Sequence, residues 1–242
     1  EEYEMAQLSM NLTNYKVTPM HIAFEEAKKD AQALKVGIAG SELVGLVPLE
    51  AILMAADYYI DKEELFILEE AQKIKLVVDR LGLNSISKFE PNKRIIDYLI
   101  AEAPNEPLAN LSLRGFIEEV ASRSSAPGGG SVSAAVAAMG TGLACMVAQL
   151  TYGVRKFESI DKEIREIIPP LYSITQKLIP MIDADTNAFN DYMEAIKLPK
   201  NTEEEKAFRI QAMQDGLKKA IDIPLNTMKL ADSAWVWMEK IA

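Results

Sequence analysis

Pro127-Gly-Gly-Gly-Ser-Val-Ser-Ala-Ala-Val-Ala-Ala-Met-Gly-Thr-Gly-Leu-Ala-Cys-Met-Val-Ala-Gln149 opens with three consecutive glycines and runs on through residues rich in alanine. Glycine lets backbone N–H groups approach a ligand closely, and a helix over 132–149 has an N-terminus that favours negative charge. Ser131 is the predicted cap of that helix. The loop lacks the Gly-Lys-Ser/Thr ending of a nucleotide phosphate loop. Two readings fit it: a ligand cradle, or a tight connection between packed helices. Ala134, Ala135, Ala137, Ala138, Gly140, Gly142 and Ala144 allow neighbours to pack very close, which predicts a central buried helix. The run is long enough to raise the question of a membrane span, but it is poor in large apolar residues, and a bundle helix explains it better.

Downstream the pattern stays helical, with predicted segments at 160–168, 171–196 and 202–241, the last two kinked or split by Pro180 and Pro224. At 100° per residue, Leu178, Met181, Ile182, Asp185, Phe189, Tyr192 and Ile196 share one stripe about 100° wide. Asp183, Asn187, Asn190 and Glu194 fall opposite, so Asp183 is expected in solvent. Asp185 is the one charged member of the apolar set. A carboxylate removed from water is costly unless paired or protonated, and its pKa moves toward values useful for proton transfer. Asp185 is therefore a candidate catalytic group; a structural carboxylate bonded to another helix or a loop amide is the other reading.

Upstream, the first hundred residues alternate: predicted strands at 5–12 and 36–39, and helices at 19–34, 49–59 and 65–81, the last stopped by Gly82. A short helical or extended segment follows at 94–100. This is an α/β pattern. Residues 101–111, Ala-Glu-Ala-Pro-Asn-Glu-Pro-Leu-Ala-Asn-Leu, read as a linker stiffened by two prolines. A helix at 113–121 capped by Ser112 begins what is otherwise an all-helical region. The fold class is therefore multi-domain: an α/β unit over 1–100, a linker over 101–111, and a helical bundle over 112–242.

A formal charge of −10 and the lack of a Lys/Arg cluster with interleaved aromatics argue against nucleic-acid binding. Cys145 is the sole cysteine, which rules out an intrachain disulfide and favours an intracellular setting; within an apolar helix it reads as a small buried side chain. His21 is the sole histidine, so a multi-histidine metal site is excluded, and a structural role is preferred for it. Glu1 is no natural initiator, and the chain reads as an excerpt of a longer polypeptide.

Several blocks together carry a family resemblance: Ser124-Ser-Ala-Pro-Gly-Gly-Gly-Ser-Val-Ser-Ala-Ala135, Leu150-Thr-Tyr-Gly153, Ile168-Pro-Pro170, Asp183-Ala-Asp185 and Leu198-Pro-Lys-Asn-Thr202, with Val44-Gly-Leu-Val-Pro-Leu49 and Leu65-Phe-Ile-Leu-Glu-Glu70 before them. The chain resembles the formimidoyltransferase-cyclodeaminase family of bifunctional folate enzymes in histidine degradation. The resemblance implies the end of an α/β transferase C-terminal subdomain followed by the first part of a helical cyclodeaminase domain. Both are then truncated, and the excerpt by itself need not be active. The subdomain that holds the family's catalytic histidine is absent, so His21 does not inherit that role, and Glu42, Gly45 and Pro48 are expected to shape fold and interface.

The implied activities are transfer of a formimino group from N-formimino-L-glutamate to tetrahydrofolate, then cyclisation of 5-formimidoyltetrahydrofolate to 5,10-methenyltetrahydrofolate with release of ammonia. In the family an aspartate of the Asp-Ala-Asp motif serves the deaminase, and Asp185 matches it. Pro127, Gly128, Gly129, Gly130 and Ser131 would support the pterin or the site wall, and Tyr152 would contact substrate. Arg155 and Lys156 are candidates for the glutamate tail, with a solvated basic turn as the alternative. Polyglutamylated tetrahydrofolate is the implied co-substrate, with no metal and no transmembrane segment. The family further implies a homo-octamer and a cytoplasmic location, with Golgi and centrosome association in vertebrate relatives. Two rival functions are a methenyltetrahydrofolate cyclohydrolase of the same helical family and a non-catalytic folate-binding helical module.

Overall fold

Pro19 and Pro48 hold an extended ψ, and a helix starts directly behind each: α1 Met20–Ala33 and α2 Leu49–Lys62. The computed structural model describes residues 5–101 and 105–241. They divide into two units, Glu1–Ala103 and Pro104–Ala242. Glu102, Ala103 and Pro104 of the expected linker lie outside the described residues, as do residues 1–4.

In the first unit, α3 Glu70–Leu81 stops at Gly82, whose φ of 61° is a left-handed cap that glycine adopts without strain. The short helices α4 Pro91–Arg94 and α5 Ile96–Ile100 flank Ile95, which is extended. Ile52, Ala55, Ala56 and Tyr59 of α2 meet Ile74, Val77 and Leu81 of α3 in the core, closed by Val47 and Ile95.

The expected α/β character does not appear as strands. Among the described residues the sole extended pairing is a parallel bridge between Val47 and Ile95, made by Val47 N–H to Arg94 O at 2.9 Å and Ile96 N–H to Val47 O at 3.0 Å. Segments 5–12 and 36–39 run without ladder partners, and Met5, Leu8, Met10, Val36 and Ile38 are exposed. Short apolar runs favour an extended backbone, but a strand needs a neighbouring edge, and no described segment supplies one here. Residues 65–69 are likewise not helical. Glu64 turns left-handed with φ 53°, Leu65 N–H closes back on Ile60 O at 2.9 Å, and Leu65 and Ile67 then pack, partly buried, against the core.

His21 is buried, with its ring stacked on Tyr58 at 4.6 Å and its Nδ1 lacking a partner. Burial pushes its pKa below the ordinary value of 6.5, opposed by nearby Glu25. The unfolded chain therefore takes up the proton first, so stability is full above about pH 6.5 and falls as pH drops toward the lower folded-state value. The expected result is a urea midpoint that falls between pH 7.5 and 5.5, and falls less in His21→Leu. Equal falls in the two proteins would contradict this account.

In the second unit, α6 Leu113–Val120 is capped by Ser112 Oγ, which accepts from Gly115 N–H at 3.1 Å. Next come α7 Gly129–Thr151, a 3-10 turn Arg155–Ile160, α8 Asp161–Leu178, α9 Met181–Lys197 and α10 Glu203–Met238. One face of α7 packs on α8, α9 and α10. Its buried stripe is Ser131, Ala134, Ala135, Ala138, Thr141, Cys145 and Ala148. The opposite face is open, so the helix is buried on one side only. Ser131 is not its cap: Gly128 is, and Ser131 lies inside the first turn.

The prolines behave unequally. Pro180 separates α8 from α9, but α8 runs straight through Pro169 and Pro170, and α10 through Pro224. Each internal proline lacks the N–H that would continue the i to i−4 ladder, so these helices continue with one bond fewer at each of those positions. α10 also starts on a capping box: Thr202 Oγ1 accepts from Glu205 N–H at 3.1 Å, while Glu205 Oε2 accepts from Thr202 N–H at 3.2 Å.

Candidate active site

The glycine loop and Asp185 meet. Asp185 Oδ2 accepts from Ser131 N–H at 2.9 Å, and Ser131 Oγ lies 3.4 Å from the same oxygen. The first turn of a helix has N–H groups with no intrahelical acceptor, so a carboxylate reaching over from α9 caps α7 from outside. Among the described residues Oδ1 receives no hydrogen bond, and Asp185 is half-buried. A Cβ on Gly130 would collide with the Asp185 carboxylate, which gives this glycine a definite steric purpose. Gly128 and Gly129 have open space where a side chain would be, Gly129 is exposed, and Pro127 is buried behind them after a cis Ala126–Pro127 bond.

Ser131 joins the site differently from the expected ligand contact. Its hydroxyl is fully buried, donates to Ile182 O at 2.6 Å and lies 3.0 Å from Thr186 Oγ1. With its N–H on Asp185, the residue fixes α7 against α9 and offers a ligand no free polar atom. Thr186, next to the acid in sequence, was not foreseen; nothing in the periodicity marks it.

Asp183 is also a correction, since it is buried and not in solvent. Its Oδ1 accepts from Leu108 N–H at 2.8 Å and its Oδ2 from Ala109 N–H at 2.9 Å. Leu108 and Ala109, assigned to the linker by composition, pack with Phe116 and Met181 against Ala134, Ala135 and Ile182. The helical wheel placed Asp183 away from the apolar stripe correctly; what covers it is a loop presenting amides. Asp183→Ala is expected to cost about 2–4 kcal/mol by leaving two part-buried amides without acceptors. Asp183→Asn, with one acceptor, should cost less. Denaturant melts of the three proteins check this ranking.

Arg155 and Lys156 are exposed in the 3-10 turn beyond the far end of α7, Lys156 Nζ lying 5.3 Å over the Phe157 ring. α7 has 23 residues. At 1.5 Å per residue that separates Tyr152, Arg155 and Lys156 from Gly129 by about 33 Å. The structure thus brings the glycines, Ser131 and Asp185 together and holds the three other candidates apart from them. Gln149 Nε2 donates to buried Cys145 Sγ at 3.2 Å, consistent with a packing role for the thiol. Among the described residues no three His, Cys, Asp or Glu side chains group as a metal site.

A helical bundle with a carboxylate pinned to the glycine-rich start of α7 is the class this unit defines. Residues 112–242 match the family described as formiminotransferase-cyclodeaminase, and residues 1–101 match the formiminotransferase domain. The chain belongs to the formiminotransferase-cyclodeaminase family. It is 54% identical over 244 residues to a formimidoyltransferase-cyclodeaminase of Dictyostelium discoideum and 50% identical over 243 to one of Mus musculus, alignments covering 100% of this chain and 44% and 45% of those proteins. A methenyltetrahydrofolate cyclohydrolase of Methylorubrum extorquens is 38% identical over 116 residues, 48% of this chain and 56% of that protein. The chain spans less than half the length of the two bifunctional relatives.

Proposed function

We propose that the full-length parent of this chain moves a formimino group from N-formimino-L-glutamate to tetrahydrofolate and then closes 5-formimidoyltetrahydrofolate to 5,10-methenyltetrahydrofolate with loss of ammonia. The helical unit performs the second step. The observation that carries this reading is Asp185, half-buried, seated against Gly130 and held through Oδ2 by the start of α7.

In the closure N10 attacks the carbon of the protonated formimino group. The C–N10 bond forms, the bond from that carbon to the exocyclic nitrogen breaks, and the N10 proton ends on the departing nitrogen, which leaves as ammonia. The methenyl product keeps the positive charge. Asp185 Oδ1 takes the N10 proton and returns it to the leaving nitrogen, while its negative charge stabilises the cation as the ring closes. Gly128 and Gly129, with no side chains in the way, let the pterin lie against the backbone. The co-substrate is polyglutamylated tetrahydrofolate, the pathway histidine degradation, the assembly a homo-octamer and the location the cytoplasm.

Ammonia release separates this reading from the cyclohydrolase. Full-length parent given tetrahydrofolate and N-formimino-L-glutamate should release one ammonia per methenyltetrahydrofolate formed. Hydrolysis of added methenyltetrahydrofolate with no ammonia from the formimino substrate would favour the cyclohydrolase; folate binding without turnover would favour a binding module.

A further inference from the structure

Ser131 grips a single turn of α9 at three points. Its Oγ lies 2.6 Å from Ile182 O and 3.0 Å from Thr186 Oγ1, and its N–H reaches Asp185 Oδ2 at 2.9 Å. Ile182 stands three residues before Asp185 and four before Thr186, so the three partners share one face of the helix. Ser131 itself is fully buried. The same turn is held from a second side by Asp183, whose carboxylate accepts from Leu108 N–H and Ala109 N–H. A reacting group keeps its geometry when the residues behind it have their own rotamers fixed, and this is such an arrangement.

The hydroxyl hydrogens can be assigned from these distances. Ser131 has one hydroxyl hydrogen and two acceptors in reach, Ile182 O at 2.6 Å and Asp185 Oδ2 at 3.4 Å. The shorter contact takes it. Thr186 is then the donor in its contact with Ser131 Oγ. A hydroxyl that receives a hydrogen on one side and gives its own on another no longer rotates freely. The Ser131 hydrogen is thereby kept off Asp185, although a carboxylate is a stronger acceptor than a carbonyl. From Ser131, Oδ2 takes the N–H alone. That matters because each further hydrogen bond to a carboxylate favours its charged form, and the group then accepts a proton less readily.

We infer that Ser131 and Thr186 are positioning residues for Asp185: Ser131 holds its turn of α9 against the start of α7, and Thr186 holds the Ser131 hydroxyl on Ile182 O. The role rests on the proposed function, in which Asp185 is the group that meets the substrate. Thr186→Val keeps the branched shape and removes the donor, so the Ser131 hydroxyl is released and turns to Asp185 Oδ2. Ser131→Ala removes the grip on Ile182 and Thr186 while the backbone N–H stays, so Asp185 keeps its bond on a looser turn.

The test uses full-length parent protein carrying Thr186→Val, Thr186→Ser, Ser131→Ala or the pair Ser131→Ala/Thr186→Val, with ammonia release, folate binding and melting temperature measured on each. Thr186→Val and Ser131→Ala should each lower kcat by at least about tenfold while KM for 5-formimidoyltetrahydrofolate stays within about twofold. Thr186→Ser retains the hydroxyl and should bring kcat to within about threefold of wild type. Because Thr186 acts through Ser131, the pair should be no slower than Ser131→Ala alone. An unchanged kcat in Thr186→Val with only the melting temperature moved would overturn the inference, since the contact would then be structural. A raised KM at wild-type kcat would overturn it by making these residues ligand contacts, and losses that multiply in the pair would overturn the route through Ser131. The two Thr186 variants decide the matter even if Ser131→Ala does not fold. Wild-type turnover in Asp185→Asn would sink the proposed function itself; lost turnover there beside wild-type kcat in Thr186→Val sinks the positioning role alone.

Discussion

Gly130→Ala is expected to lower ammonia release by the full-length parent at least about a hundredfold. The added methyl would occupy the space of the Asp185 carboxylate, so either the acid swings away or α7 shifts from α9. Displacing a catalytic group by about 1 Å is enough for a loss of that order. The same crowding should destabilise the fold by about 1–3 kcal/mol. Gly129→Ala is the stability control, because a Cβ there meets nothing within 4 Å. It should leave the melting temperature at or above the starting value. A Gly130→Ala protein that turns over normally would show that the placement of Asp185 against the start of α7 has no bearing on the chemistry.

Asp185→Asn should remove activity with little effect on folding. The amide oxygen can still accept from Ser131 N–H, so the junction of α7 and α9 is kept through a weaker bond, and the lost charge at the helix start is worth about 0.3–1 kcal/mol. What asparagine cannot do is receive the N10 proton, and loss of a positioned acid–base group typically costs about 100-fold to 10,000-fold in rate. Asp185→Ala should lose the cap as well and be the less stable of the two. Equal melting temperatures with unequal activities would separate the chemical role from the structural one.

Asp185 was found by periodicity because its neighbours at helical spacing are apolar, and that signal survives the break at Pro180. Asp183 was misplaced by the same arithmetic. A wheel registers apolar cover, whereas Asp183 is covered by the amides of Leu108 and Ala109, which come from 74 or 75 residues away and leave no trace in a local window. Ser131 has a cap's chemistry and sits near a helix start, but three glycines let the helix begin three residues earlier than a side-chain cap would dictate. The helices α1, α2 and α6 were legible because Pro19, Pro48 and Ser112 mark their starts. The strands were not, since 5–12 and 36–39 have the residue types of a strand without a described partner. The grouping of Arg155 and Lys156 with the glycine loop was a statement about one ligand, and sequence carries no measure of the 23-residue helix between them.

The most direct test is a single turnover of 5-formimidoyltetrahydrofolate by the full-length parent, wild type against Asp185→Asn, with ammonia and methenyl absorbance followed together and folate binding titrated in the same samples. The account predicts that the variant folds and binds folate while both traces slow together by about 100-fold or more. Unchanged traces in the variant would contradict it and leave Asp185 as the cap of α7 alone.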